Sequence, residues 1–160
     1  MESRMIELDL FDRRILGALQ QDGRMTSVAL AEIVHLSPSQ CARRVQRLEE
    51  AGVIRCYRAV LDPDALGLGI AGVVSLSLEK HAKGNIQELQ RQIAVRPAIV
   101  ECLSVTGDSD YQLRIVARDL REFSAILMDS IVPMPGVSTT RSSIILEQVK
   151  PFAALPIPEH

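Results

Sequence analysis

The side chains best equipped for chemistry form a short basic row. Gln40, Arg43, Arg44 and Arg47 recur at helical spacing, which sets long hydrogen-bond donors on one arc of a helix. Guanidinium groups held this way can neutralise phosphate or donate in pairs to guanine O6 and N7, and glutamine can pair with adenine. Arg55 and Arg58 follow in a stretch of strand-like composition. A solvated helical face has the same spacing, so the row alone leaves both readings open. A second cluster, Thr106-Gly107-Asp108-Ser109-Asp110-Tyr111, sets a glycine beside two carboxylates between apolar runs. Such a turn exposes backbone donors and anions together, although a plain hairpin turn has the same composition.

Other chemistry finds little material. His35, His81 and His160 are far apart and fit no metal or triad spacing. Asp108 and Asp110 lack a third ligand nearby, and Gly67-Leu68-Gly69 lacks the third glycine of a dinucleotide-binding turn. Cys41, Cys56 and Cys102 match no disulfide or zinc pattern and read as reduced thiols. No metal, no cofactor and no catalysis are expected.

The elements that must position the arginines are legible from caps and periodicity. Asp9 caps a helix from Leu10 to about Gln21, with Phe11, Ile15, Leu16 and Leu19 at helical spacing and Asp22-Gly23 as a stop. A second helix is expected over about Ser27–Val34, with Val28, Ala31 and Val34 facing inward. Ser37-Pro38-Ser39-Gln40 combines an N-cap, a proline at the first helical position and the glutamine of a capping box. The third helix then runs to about Ala51, where Gly52 supplies the left-handed stop. Its buried stripe is Cys41, Val45 and Leu48, with the basic row opposite. Three short helices, the last capped before a basic face, suit a helix-turn-helix with its final helix in the major groove.

Val53–Val60 has the composition of a strand, and the turn residues of Asp62-Pro63-Asp64 and Gly67-Leu68-Gly69 follow. Beyond them the pattern predicts strands at Ile70–Leu78, Ile99–Val105, Tyr111–Ala117 and Val137–Val149, with helices at Asn85–Val95 and Leu120–Ile131. The order βαββαβ is a ferredoxin-like arrangement, an antiparallel sheet with helices on one face. The expected fold is α+β: a winged helix-turn-helix over 1–60, a linker at 61–69, the βαββαβ domain over 70–150 and an extended proline-rich tail at 151–160. Val73, Ser75, Leu76 and Leu78 are expected to form an apolar face for assembly.

The chain has 160 residues, 47% hydrophobic and 24% charged, enough for two small domains but not a large enzyme. A net charge of −2 gives no global hint of a polyanionic partner, so any basic surface is local. It exists: from Leu36 to Arg58 five arginines face only Glu49 and Glu50. The charged start MESRMIELDLFDRR has no signal-peptide core, and no apolar run reaches membrane-spanning length, so a cytoplasmic protein is expected.

An ordered series of residues resembles the leucine-responsive regulator/AsnC (feast/famine) family. It comprises Leu8-Asp9, Asp12, Ile15-Leu16, Asp22-Gly23-Arg24, Leu30-Ala31, Leu36-Ser37-Pro38-Ser39, Arg43-Arg44-Val45, Arg47-Leu48-Glu49, Gly52-Val53-Ile54, Asp62 and Leu66-Gly67. The Gly-x-x-Asp loop at Gly107–Asp110 and the Val137…Leu146…Val149-Lys150 strand extend it over nearly the whole chain. The resemblance implies a transcription regulator that binds double-stranded DNA, with Ser37, Ser39, Gln40, Arg43, Arg44, Arg47, Arg55 and Arg58 as candidate contacts. It also implies an amino-acid effector in a pocket between neighbouring dimers, which associate into tetramers or octamers. The candidate effector residues are Thr106, Gly107, Asp108, Asp110, Tyr111, Thr140 and Ser142. Ser142 and Ser143 stand where the family more often has threonine, and Arg141 adds a cation. Two alternatives predict different behaviour: an architectural DNA-binding protein would show no effector response, and a ferredoxin-like enzyme would turn over a small substrate.

Overall fold

The computed structural model describes residues 6–79, 86–152 and 154–158. The chain forms two compact units, one of residues 1–60 with 150–160 and one of 61–149. The C-terminal segment thus groups with the first unit.

The first unit is built on three helices, α1 (Leu10–Gln21), α2 (Ser27–Val34) and α3 (Pro38–Glu50). Asp9 caps α1 in a reciprocal capping box with Asp12. Thr26 caps α2 through the Ala29 amide, and Ser37 and Gln40 close the box that starts α3. His35 takes the left-handed conformation, φ 58°, at the end of α2, where glycine is commonest. Ile15, Ala18, Leu30, Val34, Cys41 and Leu48 form the core. Val28, expected to face inward, is 59% exposed, and Leu30 takes its place at 1%. An eight-residue helix carries too little periodicity to fix its phase.

The segment after α3 departs from expectation. Val53 and Ile54 donate to the Leu48 carbonyl, and no residue from 53 to 60 lies in a strand. A strand exists only through a ladder, and the described residues supply no neighbouring strand there.

The second unit contains β1 (Ile70–Leu78), α4 (Ile86–Ala94), β2 (Ile99–Ser104), β3 (Tyr111–Ala117), α5 (Leu120–Ala125, continuing as a π turn over Ile126–Ile131) and β4 (Val137–Ile144). Asn85, the expected start of α4, lies outside the described residues. The sheet is antiparallel, in the order β2-β3-β1-β4. Val74, Leu76, Tyr111, Leu113 and Ile115 share one face and form a core with Leu89, Ile93, Phe123 and Ile131 of the helices. The assembly face expected from Val73, Ser75, Leu76 and Leu78 is therefore corrected. Leu76 points into this core, while Val73 and Ser75 point the other way, because successive strand residues alternate sides. In register with Val73 and Ser75 stand Arg114, Gln112, Ser143 and Arg141, so the open face is largely polar.

One contact fixes how closely α5 meets the sheet. A Cβ on Gly72 would stand 2.6 Å from two ring carbons of Phe123 and 3.0 Å from the Ser143 carbonyl oxygen. Gly72→Ala should lower stability by ~1–3 kcal/mol through overpacking. Adding Phe123→Leu should recover part of the loss, as measured by urea unfolding.

Candidate nucleic-acid interface and ligand loop

The α3 arginines do not form one row. Asp12 on α1 is fully buried, and its carboxylate accepts from Arg44 Nη1 at 2.7 Å, from Arg47 Nη2 and from the Asp9 amide at 3.1 Å. Arg44 also reaches Asp9 Oδ2 at 2.8 Å and lies 5.4 Å from the centroid of the Phe11 ring. The side chains of Arg44 and Arg47 are 23% and 50% exposed. Arg44 was expected opposite the apolar stripe, yet it flanks Leu48, because residues four apart on a helix are neighbours. Arg43 is exposed, as Arg47 is, but unlike Arg44 and Arg47 it forms no ion pair among the described residues.

Sequence reasoning counted Asp12 within the family pattern but gave it no role. A carboxylate in the first turn of a helix reads as a favourable dipole contact, and its burial against α3 has no local signature. Burial raises the pKa of Asp9, but hydrogen bonds from the Asp12 amide and Arg44, with the Arg44 charge, outweigh it and leave the carboxyl below its ordinary 3.8.

The first residues of α3 are committed to its cap. Gln40 Oε1 accepts from the Ser37 amide at 3.0 Å and from the Ser37 hydroxyl at 2.9 Å. A bidentate contact to adenine needs both ends of that amide, so it requires the box to open. Ser39 Oγ lies 3.1 Å from Ser37 Oγ and is exposed. Arg55 and Arg58 are exposed on either side of Tyr57. The Tyr57 hydroxyl donates to Glu49 Oε1 at 2.9 Å, and its ring lies 3.2 Å from where a Gly23 Cβ would stand. Burial, then the bond to Glu49 and its charge, push the Tyr57 hydroxyl up to about 12. Tyr57 thereby anchors an otherwise unpaired segment and sets where the two arginines emerge.

The loop between β2 and β3 is stapled to the end of β1. The Asp110 amide donates to the Leu76 carbonyl at 2.8 Å, and the Leu78 amide donates to Asp110 Oδ2 at 2.7 Å. The Ser77 hydroxyl donates to the Asp108 carbonyl at 3.2 Å. Gly107 has φ +117°, a conformation other residues rarely adopt, with open space around it. Thr106, Gly107, Asp108 and Asp110 are exposed. Thr140 is opposite Leu76, which pairs with Tyr111 on its other side, so β3, β1 and β4 bring Thr140 to the loop's end of the sheet. Ser142 lies one pair further in, opposite Val74. Tyr111 does not join the exposed set: it is 8% exposed in the core, with Gln90 donating to its hydroxyl at 3.3 Å. Among the described residues no His, Cys, Asp and Glu cluster could hold a metal ion.

Residues 8–55 match a winged helix-turn-helix DNA-binding model, and residues 72–155 match the Lrp/AsnC ligand binding domain. The leucine-responsive regulatory protein of Rhizobium meliloti is 39% identical over 91% of this chain and 93% of its own length. The Bkd operon transcriptional regulator of Pseudomonas aeruginosa is 39% identical over 96% of this chain and all of its own. Among solved structures, a Neisseria meningitidis transcriptional regulator in complex with L-Met superposes with a TM-score of 0.90 at 37% identity, covering 94% of this chain and 97% of that one. Fold and site define a DNA-binding transcription regulator with a ligand-binding domain. The chain belongs to the Lrp/AsnC family.

Removing one partner of a buried charge pair is costly because the other charge stays buried. Arg47 and the Asp9 amide still reach Asp12 when Arg44 is removed, so Arg44→Ala should destabilise the protein by ~1.5–3 kcal/mol, whereas Arg43→Ala should fall within ~0.5 kcal/mol of the parent in the same urea titration. A carboxylate whose pKa is depressed on folding adds stability above its unfolded value, lost as pH falls through the folded one. Asp9→Asn should therefore flatten the acid limb of the stability profile below the ordinary carboxylate range and leave its shape near neutrality unchanged.

Proposed function

We propose that this regulator contacts DNA through the exposed side chains Ser39, Arg43, Arg55 and Arg58, while Arg44 and Arg47 hold α3 against α1. Ser37 and Gln40 order the start of α3 and reach DNA only if their cap opens. The regulator works in the cytoplasm, where chromosomal DNA lies. It assembles at least as a dimer, since one helix-turn-helix reaches few phosphates and two read half-sites about one turn apart. We assign the DNA-binding domain to residues 1–60 and the ligand domain to 70–150, joined by 61–69.

The ligand we infer is a free amino acid, and one observation carries this reading. Asp110 Oδ1 and the amides of Gly107 and Asp108 have no intramolecular partner among the described residues, so one exposed loop offers both an acceptor and donors. That set complements an ammonium and a carboxylate on one carbon. Thr140 can add a hydroxyl, and Ser142 is assigned with it; Tyr111 supports the loop from the core. Consistent with this, the similar Neisseria regulator was solved with L-Met.

A thermal-shift screen of the common amino acids should raise the melting point for one or a few of them, since a ligand of the native state stabilises in proportion to saturation. Asp110→Ala should abolish that shift and the calorimetric heat; equal affinities in the two proteins would remove Asp110 from the site. Arg43→Ala should weaken operator binding and reduce its salt dependence by about one unit of slope. Light scattering at micromolar concentration should give a dimer or larger, and a monomer would contradict the assembly.

A further inference from the structure

Helix α1 turns Ile15 and Ala18 into the core, yet its outer side carries a stripe that DNA binding does not use. Arg13, Gly17 and Gln20 stand at i, i+4 and i+7 on one line of the helix. Each meets the C-terminal segment. The Gln20 side-chain amide closes a two-way pair with the Leu155 backbone: Nε2 donates to the Leu155 carbonyl at 3.1 Å, and the Leu155 amide donates to Oε1 at 2.6 Å. Arg13 donates to the Leu8 carbonyl through Nε at 3.1 Å and to the Pro158 carbonyl through Nη1. Between them, Ile157 Cδ1 lies 3.9 Å from where a Gly17 Cβ would stand.

We propose that this stripe is a docking site for the chain's own C-terminal segment, and that the docked segment clamps the helix-turn-helix unit. A side-chain amide paired both ways with one residue holds an extended backbone as a neighbouring strand would. Among the described residues of the segment, 151, 152 and 154–158, only Ile157 is partly shielded from solvent, which makes it the anchor. Pro156 and Pro158 on either side fix φ and lower the entropy lost on docking. A glycine inside a helix costs about 1 kcal/mol relative to alanine. At Gly17 it leaves a smooth site for Ile157, where a longer side chain would stand in its way.

The test uses the full chain with Gly17→Leu and Gln20→Ala. Leucine favours helix, so Gly17→Leu displaces the segment without weakening α1. In the parent, hydrogen exchange should show the Leu155 amide protected, and both variants should remove that protection. In a second arm, a fluorescent peptide of residues 151–160 is titrated against the chain ending at Lys150. It should bind saturably and raise the melting point that truncation lowers. Binding should weaken about tenfold or more in Gln20→Ala, which loses two hydrogen bonds, and disappear in Gly17→Leu. The intact protein, its site already filled, should bind the peptide poorly. An unprotected Leu155 amide, peptide binding equal in truncated and intact chains, or binding indifferent to Gly17→Leu would each overturn the proposal.

Discussion

The DNA-binding unit turns on a carboxylate that has no access to water. Asp12 is sealed between α1 and α3, and an ionised group there is tolerable only because Arg44 and Arg47 both reach it and the Asp9 amide adds a third donor. Such a cluster is not the least costly way to fill a core, since apolar residues of similar volume often do as well or better. What it adds is direction. A guanidinium must meet the carboxylate in a defined geometry, so the pairing sets the rotation of α3 about its axis as apolar packing alone would not. The exposed arc that carries Arg43 and Ser39 follows from that rotation. The cap adds a second constraint, because Ser37 and Gln40 order the first turn with the same polar atoms that could face a base edge.

In the ligand domain the governing constraint is close approach. Gly72 lets Phe123 come down on β1, and the antiparallel ladder brings the β2–β3 loop and Thr140 of β4 to one end of the sheet. The loop is held chiefly by backbone groups and one oxygen of Asp110, which leaves its remaining polar groups free. Rigid support from one half of a side chain, with the other half turned outward, suits recognition, because little ordering remains to be done when a ligand arrives.

Local chemistry made much of this legible in the residues. The ends of α1, α2 and α3 follow from Asp9, Thr26, Ser37-Pro38 and Gly52, because caps satisfy backbone groups within a few residues. The βαββαβ order follows from alternation and turn residues, since strand and helix periods differ. The loop at Gly107 announced itself because its conformation needs glycine and its carboxylates stand together.

Everything that rests on pairing across distance needed the tertiary structure. Arg43, Arg44 and Arg47 are alike in sequence, and only the position of Asp12 on another helix separates the cation with no ion pair among the described residues from the two that have one. Tyr111 looked like part of the loop until β1 and α4 closed over it. Val53–Val60 has the residues of a strand but no strand partner among the described residues, and composition cannot supply one. The proline-rich segment has no periodicity of its own, so its docking to Gln20 and Gly17 could not be foreseen from residues more than a hundred positions away. A sequence fixes what each residue can satisfy near itself. Which distant group satisfies the rest is decided when burial makes an unpaired charge or amide too costly to leave.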